Sequence, residues 1–459
     1  MQSPARHFTA LERRATFGLA SVYGLRMLGL FIILPVFALY AESLPGGRNP
    51  TLVGLALGVY GLTQALLQIP FGWLSDRIGR KPVIYLGLVL FAAGSFVAAA
   101  APNVQWVIAG RALQGAGAIS AAVMALAADL TREERRTQAM AVIGVSIGAA
   151  FALSLIVSAP LSRLIGVPGI FALTGVLALA AMGVVAWLVP TPGQSRFHSD
   201  AEARLGLVAA VAREPQLVRL NFGVFALHAV LMALWVAVPF ALRRAGLAAD
   251  HHWQVYLPVL LGSVLLMVPA IVYAERRAKL KQVFICAIVA LVVAEATLAL
   301  AGDSVLGVAA ALLAFFAGFN ILEASLPSLI SKVAPVAAKG TAIGIYSSVQ
   351  FLGTFAGGAA GGFLYGHYGA YALYGFCAML LLAWLGVAAG MRQPPAVRTH
   401  MYPVPAMDQQ KARGLAEQLA RLPGVREALV LAAEGVAYIK ADADGFDEQR
   451  ALRLIGEMA

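Results

Sequence analysis

Four ionisable side chains stand inside stretches of sequence that are otherwise apolar: Arg26, Arg111, His228 and Glu323. A charge at mid-membrane depth costs at least ~2.5–3.5 kcal/mol, so such groups face an interior and take partners. A carboxyl or an imidazole in that setting can take up and release a proton, and an arginine can position one or hold an anion. Neutral hydrogen-bonding groups accompany them: Gln64 and Gln68 one helical turn apart, Gln114 close after Arg111, Trp235, Asn320 and Gln350. These ten residues are the candidates for carrying a proton or for lining a polar cavity. The plain alternative for each is an interhelical hydrogen bond with no further role. Glu295, in another apolar run, is read as packing peripherally.

The elements that carry them are long. Apolar runs fall at about 16–40, 51–75, 82–101, 106–130, 137–159, 167–189, 217–242, 253–274, 283–301, 304–333, 340–365 and 370–391, each near the roughly 20 residues that cross a bilayer as a helix. Of the 459 residues 60% are hydrophobic and 12% charged, where a soluble chain carries about 25% charged. The net charge of +11 does not point to nucleic acid, because the basic residues form no single patch. They alternate. Arg77, Arg80 and Lys81; Arg132, Arg135 and Arg136; Arg196, Arg204 and Arg213; Arg276, Arg277, Lys279 and Lys281; and Lys332 and Lys339 fill every other connection. The intervening connections hold little beyond Arg48, Arg163 and the pair Arg243–Arg244, which Asp250 partly offsets. The asymmetry predicts cytoplasmic termini at both ends of a multi-pass protein. Gly144-Val-Ser-Ile-Gly148 fits a hydrolase pattern, but it lies in the middle of an apolar run and not at a strand-to-helix elbow, so the chain is not read as an enzyme. Cys286 and Cys377 are read as small core hydrophobes.

The most specific motif is the connection Gly72-Trp-Leu-Ser-Asp-Arg-Ile-Gly-Arg-Lys81, a short charged turn that forces its two flanking helices to be antiparallel neighbours. Arg111-Ala-Leu-Gln-Gly-Ala-Gly117 follows on the fourth run. A polar stretch from Pro190 to Arg213 splits the runs into two sets of six, and Arg136–Ile143 matches Lys339–Tyr346 at the start of the fifth run of each set. In these features the chain resembles the major facilitator superfamily of secondary transporters, over about 390 residues.

The resemblance implies an all-α membrane protein with a twelve-helix major facilitator fold of two six-helix halves, residues 15–190 and 217–393, joined by a cytoplasmic linker at 191–216. It implies that Gly72, Asp76, Arg77, Gly79, Arg80, Lys81 and Asp129 form a conformational switch. Asp76 would cap the eleventh helix and relay charge with Arg80 and Asp129. It links Arg111 to proton coupling, and places Arg26, His228, Asn320 and Glu323 on the four cavity-lining helices. Gly144, Gly148 and Ser158-Ala-Pro160 stand on the fifth run, which lacks the Gly-Pro pair that antiporters of the family carry.

From residue 394 the composition changes after Pro394-Pro395. A strand at Thr399–Pro403, a helix at Ala406–Arg421, strands at Val425–Ala432 and Val436–Ala441 around the turn Ala433-Glu434-Gly435, and a helix at Phe446–Met458 give a small cytoplasmic α+β ferredoxin-like (β-α-β-β-α) domain, 394–459. Heavy-metal-carrying modules of that type use paired cysteines in the first loop; Pro405–Gln410 has none, and no metal or other cofactor is expected. The module's acidic residues predict docking on Arg77 and Lys81 or on the loop Arg276–Lys281.

The expected function is secondary active transport in the bacterial inner membrane by a monomer: proton-coupled, drug-antiporter-like efflux of a small molecule, with the bilayer, substrate and protons as partners and no nucleic acid. A proton symporter or facilitator for a sugar-like or other small solute is the alternative within transport. A non-transporting membrane sensor is the alternative outside it.

Overall fold

The computed structural model describes residues 8–192, 205–277, 279–335, 338–391, 397–405, 407–432, 435–442 and 445–457. Arg196, Arg204, Pro394-Pro395, Ala406, Ala433-Glu434 and Met458, named above, lie outside these residues.

The first half begins earlier than hydropathy predicts. Helix α1 (Ala10–Phe31) is set by a capping box in which Thr9 accepts from the Glu12 backbone while Glu12 accepts from that of Thr9. It continues into α2 (Leu34–Ala41), with Pro35 in its first turn. α3 (Pro50–Ile78) starts on an Asn49 cap with Pro50 at its first position. α4 (Arg80–Ala99) follows after one residue, Gly79, whose φ of 97° is a left-handed conformation suited to glycine. α5 (Val104–Ala116) and α6 (Ser120–Leu130) together make the fourth crossing. α7 (Glu133–Trp187) contains two crossings, turned at Gly166 (φ 69°, ψ 170°).

The linker carries a short amphipathic helix, α8 (Leu205–Arg213), against α13 of the second half. That half is α9 (Pro215–Arg244), a single 3-10 turn (Ala249–His251), α10 (Trp253–Arg276), α11 (Leu280–Ala301), α12 (Val305–Val333), α13 (Lys339–Tyr368) and α14 (Ala370–Ala389). Twelve crossings result among the described residues. Ten segments are long and apolar enough to span a membrane. The two arms of α7 count there as one segment, and α13, rich in glycine and polar residues, is not among them.

Hereafter the basic end is the end of the bundle with the Gly79 turn, and the far end is the opposite one. The halves meet at the far end. Glycines let α3 and α13 approach backbone to backbone: a Cβ on Gly358 would lie 2.5 Å from the Gly54 carbonyl oxygen, and Gly362 crowds the same place. Arg243 of α9 grips Glu42, and Arg163 of α7 is ion-paired with Asp250. The positive-inside exception is thereby explained differently from expectation: Glu42 offsets Arg243, and Asp250 serves Arg163. Midway along the first arm of α7, Gly144 and Gly148 have nothing within 4 Å of where a Cβ would stand.

The C-terminal module is β1 (Val397–Pro403), α15 (Gln409–Ala420), β2 (Val425–Leu431), β3 (Val436–Asp442) and α16 (Glu448–Glu457). Its antiparallel sheet has the order β1-β3-β2, with Leu415, Leu419, Ile439 and Ala451 buried under the helices. The docking differs from expectation. Buried Lys440 of β3 donates to the Ala334 carbonyl at the α12–α13 connection, 3.1 Å away. Arg77 instead lies over the Trp73 ring, while Lys81 and Lys281 donate to backbone carbonyls of Val189, Ala389 and Met391.

Candidate functional site

Three polar clusters arise where sequence-distant helices cross. The first is at the basic end. Arg80, 4% exposed, is ion-paired with Asp76, donates to Ser75 at 2.9 Å, and meets Asp129 of α6 at 3.4 Å. Gly79 makes this possible by reversing the chain in one residue, so that the first residue of α4 points back at the last turn of α3. Gly72 lies within 3.2 Å of Ala121, measured from an added Cβ, and so keeps α3 close to α6. Asp76, Arg80 and Asp129, expected to act together, are thus brought into contact. The expected cap is not made in this arrangement: α13 starts on Ala338 with no side-chain cap.

The second cluster is sealed in the first half. Arg26 is fully buried and donates to Gln64 at 2.7 Å and to the Gly117 carbonyl at 2.9 Å. Gln64 continues toward Gln68 and Ser120, each at 3.4 Å, and Ser120 receives the Tyr23 hydroxyl at 2.8 Å. Arg111, 1% exposed, donates to Gln114 at 3.0 Å and to the Ala56 and Leu57 carbonyls at 3.3 and 3.4 Å. Gln114 in turn donates to Ser95 at 2.8 Å. Tyr60 lies between the two guanidinium groups, whose carbons are 5.9 and 5.2 Å from its ring centre, and Phe91 presents its ring to Arg26 at 5.4 Å. Carbonyl dipoles and ring faces therefore carry both cations where a carboxylate would ordinarily stand. Arg26, Gln64 and Gln68 are expected on a cavity wall; all three are buried, with Arg26 and Gln64 fully so and Gln68 4% exposed. Arg111 does not extend to the surface. Tyr60 was not legible as a partner, since one tyrosine in an apolar run carries no signal of what crosses it.

The third cluster joins three helices of the second half. His228 of α9 sets Nδ1 3.1 Å from the Val224 carbonyl. Its Nε2 is 2.7 Å from the Gln350 amide nitrogen of α13. The same amide reaches Glu323 Oε1 of α12 at 3.4 Å, and Glu323 Oε2 lies 3.6 Å from His228 Nε2. These contacts select one tautomer: Nδ1 carries the hydrogen donated to Val224, and Nε2 accepts from Gln350. Glu323 keeps 37% of its side chain exposed, in contrast to the sealed arginines.

Two candidates fall outside these clusters. Asn320 donates to Ser263 of α10 at 3.0 Å. Trp235 is 2% exposed and packs edge-on to Tyr256 and obliquely on Phe316, so it belongs to the aromatic core. Glu295 corrects expectation in the other direction: it is 1% exposed, packed against α14, and not peripheral. Cys286 is exposed, while Cys377 is buried as expected.

Comparison with known proteins follows this geometry. Residues 19–274 match the family model described as Major Facilitator Superfamily. The chain is 43% identical over 445 residues to the inner membrane transport protein YajR of Escherichia coli K12, covering 96% of this chain and 98% of that one, a span that extends into the C-terminal module. It is 28% identical over 353 residues to the multidrug resistance protein MdtH of Aeromonas hydrophila, covering 74% of this chain and 84% of that one. The crystal structure of the human organic anion transporter MFSD10 superposes with a TM-score of 0.59 at 22% identity, over 83% of this chain and all of that one, a likeness of fold.

Proposed function

Because the chain belongs to the major facilitator superfamily, we propose that it is a proton-coupled exporter of small molecules that works by alternating access, with His228, Glu323 and Gln350 as its proton-coupling site. The carrying observation is the convergence of these three side chains from α9, α12 and α13. A proton arriving at His228 Nε2 removes the acceptor that Gln350 uses. The imidazolium then has Glu323 Oε2 as its natural partner at 3.6 Å, and the Gln350 amide is released. Protonation thereby rewires contacts among three helices of one half. Bound substrate competes for the same Glu323 oxygens, which is the thermodynamic requirement for exchange: each ligand binds less well while the other is present.

The far-end contacts between halves support reading this arrangement as the one open at the basic end. The basic connections favour the cytoplasm for that end, which makes the state inward-facing in this reading. In the outward-facing state the basic ends close, and Asp76 meets the start of α13. An anion there gains ~0.3–1 kcal/mol, which is the proposed switch. The 28% likeness to a multidrug resistance protein supports export over uptake. The 26 residues from 191 to 216 act as a cytoplasmic linker, and the module from 394 as an appended cytoplasmic domain outside the pathway.

The test is proton flux. Compounds that raise the melting temperature in a stability screen are added to proteoliposomes loaded with a pH dye. Exchange predicts proton movement opposite to the compound. Movement in the same direction assigns symport, and binding without counterflow assigns a sensor.

A further inference from the structure

Glu295 is a buried carboxyl of the second half that the clusters above do not use. It lies on α11, six residues before the far-end terminus at Ala301, a depth of about 9 Å along the axis. Its side chain is 1% exposed, and neither carboxyl oxygen has a hydrogen-bond partner among the described residues. The Tyr374 hydroxyl of α14, close by, is likewise buried without one. Cys377, one turn further along α14, faces the same carboxyl.

We infer that Glu295 is a second proton-holding site, separate from the His228–Glu323 cluster, that exchanges its proton with the far-end medium. An unpaired carboxylate in these surroundings would lack both water and a counter-charge, so the group is held as a carboxylic acid. Among the described residues the neighbours provide no cation at contact. From α14 come Tyr374 and Cys377. From α12, Glu323 is engaged with His228 and Gln350, and Lys332 is in the last turn at the basic end. From α10, Tyr256 is beside Trp235, while Tyr273, Glu275 and Arg276 end the helix at the basic side.

Polar groups stand toward the far-end surface, but no hydrogen bond joins this carboxyl to them in the closed arrangement: the Tyr374 hydroxyl has no partner among the described residues. Beyond it Arg244 donates to the Tyr365 hydroxyl at 3.2 Å and to Asp303 at 3.5 Å, and Asp303 is 85% exposed. A structural leucine would fill the α11–α14 contact without the desolvation cost; a carboxyl six residues from the far-end terminus suits a group that changes charge once water enters. When α11 and α14 part at the far end, water reaches Glu295, the acid releases one proton to the medium, and the carboxylate left behind is hydrated. Reclosure requires the proton back.

The experiment is infrared difference spectroscopy on the full chain in lipid, reading the carbonyl band of a protonated carboxylic acid. The band reports the carboxyl directly, so it does not depend on Glu323 being the coupling site or on transport being exchange. The expected result is a band at neutral pH that declines on alkalinisation, is lost in Glu295→Gln and persists in Glu323→Gln. Tyr374→Phe should slow its shift in deuterated water. An unchanged band in Glu295→Gln overturns the inference, and so does a band that stays constant up to the pH at which the protein unfolds, which would mark a fixed structural acid.

Discussion

Arg243 of α9 holds Glu42, the residue that ends α2, through two hydrogen bonds of 2.5 and 2.9 Å, joining the first half to the second at the far end. Both side chains are more than a third exposed, so solvent screens the pair and its worth is ~0.2–1 kcal/mol. Glu42→Gln should shift the population toward the far-end-open state by at most about five-fold. The hydrogen bond from Arg243 holds the Glu42 carboxyl below its ordinary value of 4.5. The clasp therefore contributes fully above that pH and fades as the pH falls below it. Spin-label distances across the far end should be constant from neutral to mildly acidic conditions and lengthen only in stronger acid. Lengthening on alkalinisation would contradict this role.

The α3–α13 contact should be intolerant of side chains. Gly358→Leu places four carbons where a Cβ alone would already stand 2.5 Å from the Gly54 oxygen. The far ends cannot then close, and cysteines introduced near Tyr60 should react faster with an impermeant reagent added at the far end. Equal reactivity would mean that the helices separate elsewhere.

Arg80→Ala should destabilise the first half more than loss of an exposed arginine would. Asp129 has a fully buried side chain and loses this counter-charge, and breaking a buried pair typically costs 3–5 kcal/mol. The melting temperature in detergent should fall clearly, while Arg77→Ala, which removes only the stacking on Trp73, should leave it nearly unchanged. Equal effects would show that Asp129 finds sufficient compensation without Arg80.

The module should be separable from the bundle. Lys440→Ala removes the hydrogen bond to Ala334, so protease cleavage between bundle and module should quicken. A chain ending before Pro394 should still insert and show the same ligand-induced rise in melting temperature. Loss of that rise would place part of the binding site in the module.

Most crossings were legible because they are long apolar runs, α13 with its glycines and polar residues being the exception, and the basic-end turn because charged residues at that spacing fit only a solvated connection. The α1 start was missed: Arg13 and Arg14 masked a helix that Thr9 and Glu12 cap. Which polar groups meet was not legible. Arg26 and Glu323 look alike in sequence, as single charges in apolar runs, yet one is fully buried while the other keeps 37% of its side chain exposed, because the difference is made by the packing of distant helices. Glu295 was misread for the same reason, since its burial depends on α14, 75 residues or more away in the chain. Arg243–Arg244 did carry a signal, as an exception to the charge asymmetry, and its explanation was Glu42.

The central claim is that one proton exchanges against substrate at His228 and Glu323. Its most direct test is the pH dependence of transport by Glu323→Gln in proteoliposomes, beside exchange of labelled compound across the same membranes. The amide keeps the shape and the hydrogen bond to Gln350 but cannot hold a proton or pair with the imidazolium. The account predicts that a pH gradient no longer drives accumulation while labelled compound still exchanges. Accumulation that keeps its full pH dependence in Glu323→Gln, and again in His228→Gln, would contradict it and place the coupling site elsewhere.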